Sequence, residues 1–350
     1  MFTSKRWLCL IVVLYPLFIA AWQSSPIRSE QKVSRVDIDD DDTYSPRLEK
    51  PAFQKDGPVV LLDEAHGNQH FDKAFARLMA ADGFQIVTSR DELTFDSLSK
   101  AKIVVIMNTA MFMPWKWLEA PSPLFSDREA AAIRDWVTSG GSLLYASGSS
   151  KNEAGEMLLS RIGIQFQEGH IVDRELTSPD AKHSSSFGGI TFNREKNTLA
   201  NHSILTGRSD SEHVEAVLLN GMRTIRQAPD NAVPLIHYSD KALLLPRDVF
   251  LERTLTEEAR QLRANGKTET TTEATPLTTP SPAPGKPVAV AFALGKGRVV
   301  VIGAGSALSS VVVKKNPPGA TPITEKVGLG EADNQKFTLN VMHWLAGLLE

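Results

Sequence analysis

From Val59 onward the chain alternates short apolar runs with amphipathic segments, and this alternation limits the possible folds more than any other feature. The apolar runs predict strands at Val59–Leu62, Phe84–Thr88, Ile103–Met107, Ser142–Ala146, Val288–Phe292 and Arg298–Ile302. Strands without regular polar positions, separated by helices, are typical of a parallel sheet that is covered on both faces. We therefore predict an α/β fold: a three-layer open, mostly parallel sheet with helices on both faces.

Two connecting segments carry clear helix signals. Asn68–Asp82 ends at Gly83, a residue type that often follows the last helical turn. Its apolar side chains fall on one helical face, which consists of Phe71, Ala74, Phe75, Leu78 and Met79. Ser126 and Glu129 form a capping box, in which each side chain binds a backbone N–H at the start of a helix. This second helix is predicted to continue through Val137.

Weaker patterns predict three further helices. One lies around Met157 to Ile162, one is the charged segment Thr256–Ala264, and the last is capped by Asp333. Helical spacing predicts a buried face for the last helix, made of Phe337, Val341, Trp344, Leu345 and Leu348. Residues 164–240 predict a mixture of short strands and loops.

The N-terminal segment differs from the rest in composition. Lys5 and Arg6 precede the apolar run Trp7–Ala21, and small and polar residues follow it, as in a secretory signal peptide. The run is shorter than the roughly 20 residues that a membrane span needs. We predict a signal peptide at residues 1–24, with an uncleaved N-terminal anchor as the alternative, and a periplasmic or secreted protein.

Two further segments lack the composition of a folded core. Residues 25–57 are polar and acidic and predict a disordered tether. Residues 266–287 are rich in Thr and Pro and bury too little apolar surface to order themselves, so a disordered insertion is predicted there. Residues 58–350 are otherwise predicted to form a single α/β domain. The only cysteine, Cys9, lies in the signal segment, so the mature chain has no thiol for a disulfide, a nucleophile or a metal site.

Two motifs suggest nucleotides, and both are incomplete. Asp63–His66 reads DEAH after a strand and looks like the Walker B segment of a helicase, but the chain has no GxxxxGK[ST] phosphate loop. Gly303–Gly305 begins like a dinucleotide fingerprint, but Leu308 stands at its third glycine position. The net charge of −3 and the lack of a basic cluster beyond the signal segment argue against nucleic acid. We predict no nucleotide, no nucleic acid and no cofactor.

Five segments, taken in order, resemble uncharacterised bacterial secreted proteins with a class I glutamine amidotransferase-like domain. They span most of the mature chain and are Val59–Asn68, Ser126–Leu144, Asn201–Gly207, Gly295–Ser310 and Asp333–Leu349. Related domains look like the sugar-utilisation ThuA proteins and the ligand-binding halves of intraflagellar-transport and gliding-motility proteins. The resemblance implies an amidotransferase-like, flavodoxin-like sheet and a binding or scaffold role.

The same resemblance identifies the turn where amidotransferases carry their cysteine nucleophile. Here that turn reads Ser147-Gly148-Ser149-Ser150, so glutamine hydrolysis is excluded. Ser149 could take the nucleophile's position, although the turn is not G-x-S-x-G. The alternative is a glycine-serine turn that caps the next helix.

Ligands of open α/β sheets bind beyond the carboxyl ends of the strands. The candidate ligand-binding residues lie at those ends and on an apolar loop after the third strand, and they are Asp63, His66, Asn68, Asn108, Trp115, Trp117, Ser147, Ser149 and Ser306. Asp63 or Glu64 with His66 forms a candidate acid–base or metal-binding pair, and Ser149 is a candidate nucleophile. Because no third ligand lies within sequence reach, we predict no metal site. The alternative is that Asp63 and His66 cap the following helix.

These residues support two functional hypotheses. The first is a non-catalytic extracytoplasmic binding or scaffold domain. It would recognise a small polar ligand, carbohydrate included, or a protein partner such as a membrane complex, at the strand-end cleft. The second is a hydrolase or isomerase on the same fold that uses the strand-end carboxylates with His66, or Ser149, as acid–base or nucleophilic groups. His202 and His343 are predicted to be structural in both cases.

Overall fold

The computed structural model describes residues 35–54, 56–66, 73–107, 125–147, 155–176, 189–245, 280–316 and 321–350. The chain divides into two compact units, residues 1–36 with 315–323 and residues 37–314 with 324–350. The larger unit thus begins well before residue 58, where the predicted single domain starts. The central sheet and the site discussed below belong to this larger unit.

Most strands are short. In chain order they are β1 (Arg35–Asp40), β2 (Val59–Asp63), β3 (Gln85–Ser89), β4 (Ile103–Met107), β5 (Ser142–Ala146), β6 (Gln165–Phe166), β7 (His170–Val172), β8 (Ile190–Asn193), β9 (Ala216–Leu219), β10 (Ile225–Gln227), β11 (Val233–His237), β12 (Leu243–Leu245), β13 (Ser281–Pro282), β14 (Pro287–Leu294), β15 (Gly297–Ile302), β16 (Ser310–Asn316) and β17 (Ile323–Gly328). The α-helices are α1 (Lys73–Ala81), α2 (Phe95–Leu98), α3 (Asp127–Ser139), α4 (Glu156–Arg161), α5 (Ser203–Thr206) and α6 (Asn334–Ala346). Short 3-10 helices cover Asp210–Glu212 and Gly305–Leu308.

A seven-stranded sheet forms the centre of the larger unit, in the spatial order β11-β14-β15-β5-β4-β2-β3. The five strands β3, β2, β4, β5 and β15 are mutually parallel, whereas β14 runs antiparallel to both β15 and β11. Counted along the chain, the parallel strands follow the order 2-1-3-4-5. The predicted mixed α/β fold with a mostly parallel sheet is therefore confirmed.

Helices cover both faces of this sheet because successive side chains of a strand point to opposite sides. Val60 and Leu62 of β2 belong to a core cluster with the buried faces of α1 and α6. Leu61 of the same strand belongs to a second cluster with buried residues of α2, α3 and α4. The helix that follows β2 and the helix that follows β4 thus lie on opposite faces.

Local sequence signals placed the central elements well. β4 and β5 have the predicted bounds, and α3 begins with the predicted capping box. In that box Ser126 Oγ accepts a hydrogen bond from Glu129 N at 3.2 Å, and Glu129 Oε2 accepts one from Ser126 N at 2.9 Å. Gly140, at a φ of 125°, ends the helix in a conformation that favours glycine. Residues 67–72, where the helix after β2 was predicted to start, lie outside the described residues.

The predicted disordered tether over residues 25–57 is wrong for residues 37–54. Residues 37–40 belong to β1, and the segment that follows packs on the core through Tyr44, Leu48 and Phe53. The Phe53 ring lies 4.9 Å from that of Phe84, and Ala52 N donates to a carboxylate oxygen of Asp82 at 2.7 Å. Widely spaced apolar residues in an acidic background anchor this segment, a pattern that composition alone does not reveal.

The predicted disordered insertion at 266–287 is wrong for its last residues. Ser281–Pro282 pairs with β12, and Ala283 is buried. Residues 246–279, which include the predicted helix Thr256–Ala264, lie outside the described residues, as does the predicted signal peptide. Within the described ranges, the chain forms no helix that is both long and apolar enough to span a membrane.

The last helix differs from its prediction at both ends. Asp333 occupies the N-cap position, but its side chain accepts hydrogen bonds from Glu215 N and Ala216 N instead of capping α6. Leu348 follows the helix and is 43% exposed, so it is not part of the buried face. The other four predicted face residues are buried.

Candidate functional site

His66 is held between two carboxylates at the carboxyl end of β2. Its Nδ1 lies 2.9 Å from Asp63 Oδ1 and 3.0 Å from Asp63 Oδ2, and its Nε2 lies 3.0 Å from Glu129 Oε1. The ring stacks on Phe125 at a centroid distance of 4.3 Å. All three polar residues are buried, so these contacts form in a largely water-free environment.

Both carboxylates have further hydrogen-bond donors. Asp63, the last residue of β2, accepts from Ala65 N at 3.1 Å within the turn. Glu129, in the first turn of α3, accepts from Ser126 N and from Leu93 N, the latter at 3.1 Å. The cluster therefore ties the end of β2 to the start of α3 and to the segment that precedes α2.

The two carboxylates determine the charge of the imidazole. Burial alone lowers the pKa of His66, but the hydrogen bond and the charge of Asp63, with those of Glu129, raise it above its ordinary value of 6.5. Burial raises the pKa of Glu129, yet hydrogen bonds from the Ser126 and Leu93 backbones and the charge of His66 bring it below 4.5. The arrangement, with a carboxylate at each ring nitrogen, favours the protonated imidazole.

This clamp restricts the chemistry of His66. Both ring nitrogens are engaged by carboxylates, so neither offers a free lone pair for proton abstraction or metal coordination. In the ranges that the structure covers, no group of three or more His, Cys, Asp or Glu side chains is placed to hold a metal ion. Asp63 binds the turn as the capping alternative predicted, but the helix that His66 secures is α3, which comes later in the chain than the helix expected.

Glu129 was missed as a partner of His66. In the sequence, Glu129 is recognisable only as part of the capping box, and that role already accounts for a glutamate at this position. The contact with His66 joins positions far apart in the chain, and no local pattern encodes it.

Glu64 forms a separate charged pair with Arg90 at the carboxyl ends of the strands. Its Oε2 accepts a hydrogen bond from Arg90 Nε at 2.7 Å, and Arg90, which follows β3, has 83% of its side chain exposed. Solvent therefore reaches this pair at the strand ends.

The two described serines of the predicted site serve the fold. Ser147 extends the pairing of β5 with β15, because its N–H donates to Ile302 O at 2.8 Å and its carbonyl accepts from Gly305 N. Ser306 is 2% exposed, and its hydroxyl both donates to Asn220 O at 2.9 Å and accepts from Asn220 N at 3.2 Å. The prediction that Ser306 faces a ligand is therefore wrong, because its hydroxyl is already used within the protein.

The other predicted site residues, Asn68, Asn108, Trp115, Trp117 and Ser149, lie outside the described residues. Their positions in the chain nevertheless fix which strand each one follows: β2, β4 or β5. The carboxyl ends of β2 and β4, called the strand-end edge below, lie where the helical connections switch from one face of the sheet to the other. Crevices at such switch points are the usual ligand sites of open α/β sheets.

His202 and His343 hold structural contacts, as predicted. His202 caps α5, because its Nδ1 accepts a hydrogen bond from Ile204 N at 3.1 Å. Burial, with the charge of Arg298, lowers the pKa of His202, which agrees with a neutral ring that can accept this bond. His343 Nε2 lies 2.6 Å from Asp82 Oδ2, which joins α6 to the end of α1.

Comparison with known proteins gives distant structural likeness and no sequence match. No family model matches the chain, and no curated protein matches it. The chain is similar to the mmIFT52 N-terminal domain, with 14% identity and a TM-score of 0.48 over 82% of this chain and 96% of that one. It is also similar to the cytoplasmic protein STM3548 from Salmonella typhimurium, with 12% identity and a TM-score of 0.37 over 71% and 87%.

A third similar structure is a cold-adapted β-galactosidase from Rahnella sp. R3, with 12% identity and a TM-score of 0.38 over 84% of this chain and 31% of that one. TM-scores below 0.5 at such identities carry no conclusion about activity, so the function has to be argued from the site itself.

Proposed function

We propose that this chain is a non-catalytic, extracytoplasmic binding or scaffold domain. It recognises a small polar ligand, with carbohydrate the first class to test, or a protein partner at the carboxyl edge of its parallel strands. The observation that carries the proposal is the engagement of both His66 nitrogens by Asp63 and Glu129. A histidine fixed in this way stiffens a binding edge but has no free nitrogen with which to act on a substrate.

The position of the edge supports recognition there. The ends of β2 and β4 form the switch point of the sheet, where this kind of fold binds ligands. Glu64 and Arg90 present one acceptor group and one donor group beside it, with Arg90 largely in solvent. Such a pair can exchange its mutual hydrogen bond for bonds to a polar ligand at small cost, because exposed ion pairs contribute little on their own.

The finer fold assignment is part of the proposal. The 2-1-3-4-5 order of the parallel strands is the flavodoxin-like order, and it supports a class I glutamine amidotransferase-like sheet. Glutamine hydrolysis does not belong to the proposal, since the sequence has no cysteine after Cys9. The extracytoplasmic location rests on the charged, apolar and small residues of the first 24 positions.

The competing hypothesis is a hydrolase or isomerase that uses Asp63 or Glu64 with His66, or Ser149. No contact among the described residues favours it, because both nitrogens of His66 are engaged and Glu64 is paired with Arg90. Labelling with a fluorophosphonate tests the serine directly. We expect Ser149 to remain unlabelled, and stoichiometric labelling that Ser149→Ala abolishes would establish the competing hypothesis.

Binding at the strand-end edge is tested by ligand-induced thermal stabilisation. The wild-type protein is screened with glucose, galactose and N-acetylglucosamine, since a ligand that binds only the folded state raises Tm. We expect a saturable rise in Tm that the double variant Glu64→Gln with Arg90→Gln reduces at least tenfold in apparent affinity. The matched control is Arg134→Gln with Asp135→Asn, which removes an exposed charged pair of α3.

A response that persists unchanged in the Glu64 and Arg90 double variant would place the sugar elsewhere and contradict the proposed edge. If no sugar responds, capture of one membrane-associated protein by the wild type and the control, but not by the double variant, would assign the edge to a protein partner. Failure of both readouts would remove the proposal.

A further inference from the structure

The central sheet ends on one side at β3, and only the inner side of that strand is paired. Gln85 N donates to Pro58 O at 3.2 Å, and Ser89 O accepts from the backbone N–H that follows β2 at 2.8 Å. In a parallel pair each residue bonds through its N–H and C=O to one side, and the next residue faces the other side. The backbone groups of Ile86 and Thr88 therefore point away from β2. Among the described residues, no strand pairs with this outer side of β3.

The strand at the opposite end of the sheet, β11, is better protected. It contains Pro234, which has no N–H to donate, and its Ile236 forms a bridge with Leu199. The run Gln85–Ser89 of β3 reads QIVTS and contains neither proline nor a charged residue. Native proteins usually block an exposed edge strand with such residues, because its unpaired backbone groups can pair with another chain. The strand β3 thus carries none of the side chains that usually prevent strand pairing.

An apolar side chain lies at the centre of this neutral strand. Val87 is 44% exposed, although it stands opposite buried Leu61 of β2 in the sheet register. Gln85 and Thr88 are exposed as well. Phe95, the first residue of α2, is 47% exposed, and α2 covers the face of the sheet to which Leu61 belongs. The outer side of β3 therefore combines outward-pointing backbone groups with exposed apolar surface.

A second copy of β3 complements this strand residue by residue. When two copies run antiparallel about a two-fold axis at Val87, Ile86 lies opposite Thr88 of the partner subunit, and the pair can exchange both backbone hydrogen bonds. Val87 then packs on Val87 of the partner subunit, and Gln85 lies opposite Ser89 of the partner subunit. No like charges face each other across the axis, because the strand has no charged residue.

We propose that the chain forms a symmetric dimer in which β3 pairs antiparallel with β3 of a second copy, so that two central sheets become one. A strand of 5 residues buries less than the roughly 1,200–2,000 Å² of a stable interface, so the association is weak and reversible. The two strand-end edges lie at opposite ends of the joined sheet, because the paired strands run in opposite directions. The dimer is independent of the ligand proposal, since its pairing requires neither Glu64 nor Arg90.

Sedimentation equilibrium of the full chain over a wide concentration range tests the dimer. We expect the wild type to show a reversible monomer–dimer equilibrium. Val87→Lys and Val87→Glu should each weaken it by about tenfold or more, because two like charges then meet at the axis and the valine contact is lost. An equimolar mixture of the two variants should dimerise more strongly than either variant alone, because opposite charges then meet there. This recovery requires that Val87 faces its own counterpart.

The matched control is Val233→Lys. Val233 is a 40% exposed valine of β11, at the other end of the same sheet, so this variant should dimerise as the wild type does. Circular dichroism checks that each variant is folded. A wild type that stays monomeric at every concentration overturns the proposal and leaves a different protein as the occupant. Dimerisation of Val87→Lys as strong as that of the wild type, or a mixture no better than either variant alone, overturns it as well.

Amide hydrogen exchange of the wild type is a second measurement that needs no variant. The N–H groups of Ile86 and Thr88 should exchange more slowly as the protein concentration rises, because only the dimer protects them. The Val87 N–H, which faces β2, is the internal control, and its exchange rate should not depend on concentration. Rates at Ile86 and Thr88 that do not change with concentration would overturn the proposal. Slow exchange of both in a dilute monomer would assign the outer side of β3 to another segment of the same chain.

Discussion

The imidazole of His66 can carry a charge inside the protein because every group around it is satisfied. A buried ion pair gains little over apolar packing unless further hydrogen bonds complete it. Here Asp63 receives the Ala65 N–H, and Glu129 receives those of Ser126 and Leu93. Removing one partner would leave an uncompensated buried charge, which typically costs 3–5 kcal/mol.

The clamp makes stability depend on pH in a defined direction. His66 has a raised pKa in the folded state, so its stabilisation is fully present below about 6.5 and is lost as pH rises through the folded value. Glu129 has a lowered pKa, so its contribution is present above about 4.5 and is lost as pH falls through the folded value. The joint contribution should be largest between these limits.

His66→Gln should therefore destabilise the protein by about 3 kcal/mol near pH 5.5 and by less near pH 8.5. Urea unfolding of both proteins across this range measures the difference. His213→Gln, at a partly exposed histidine beside Glu215, is the control and should show a smaller difference. A wild-type advantage over His66→Gln that does not change with pH would contradict a charged, clamped imidazole.

At the level of elements, backbone packing accounts for the first glycine of the motif that follows β15. The backbone of residue 223 packs against it: Arg223 N donates to Gly303 O at 2.7 Å, and Gly303 N donates to Val288 O at 2.8 Å. A Cβ at Gly303 would lie 1.9 Å from Arg223 O. The glycine allows a close approach of two backbone segments, which is a packing requirement at the carboxyl end of β15.

Gly303→Ala should cost about 2–4 kcal/mol, because backbone and not a flexible side chain blocks the new methyl group. Gly330→Ala is the matched control, since a Cβ there meets nothing within 4 Å, and its effect should be near zero. Chemical denaturation of both variants compares them. Similar stabilities would mean that the turn after β15 shifts freely to make room.

The helices and strands that could be predicted from the sequence are those that local sequence patterns specify. The bounds of β4 and β5 follow from apolar runs, and the start of α3 follows from a capping box. Strands such as β8 depend on distant partners, because Ile190–Asn193 exists as a strand through its pairing with β9. Residues 164–240 could for that reason be predicted only as a mixture.

The same distinction holds for the site. Asp63 and His66 are three positions apart, and their proximity could be predicted. The third member, Glu129, and the partner of Ser306, Asn220, are brought in by the tertiary fold. The sequence therefore predicted the contact of His66 with Asp63 but not that with Glu129, and it did not predict the burial of Ser306.

On the scale of the molecule, the segment before β2 is an integral part of the larger unit. Tyr44, Leu48 and Phe53 pack on the main core, and Tyr44 Oη donates to Gln335 Oε1 of α6 at 2.9 Å. Asp82, which receives Ala52 N, also binds His343 of α6. The segment thus connects to the same two helices that the Asp82–His343 contact joins.

A chain that begins at Pro58 should be less stable than one that begins at Gln31. The loss of three partly buried apolar side chains and their hydrogen bonds corresponds to about 3–5 kcal/mol, or a fall in Tm of roughly 5–8 °C for a domain of this size. Differential scanning calorimetry of the two chains measures it. Equal melting temperatures would restore the view of this region as a passive tether.

The pairing of β5 with β15, two strands that lie far apart in the chain, has a consequence for biosynthesis. They pair residue by residue from Ser142 with Arg298 to Ala146 with Ile302, although residues 147–296 separate them in the chain. Closing so long a loop is slow, and β5 emerges from the ribosome long before its partner. Until β15 is made, β5 has one open edge, a state prone to aggregation in nascent chains. We therefore expect the growing polypeptide to depend on chaperones while the segment between these two strands is synthesised.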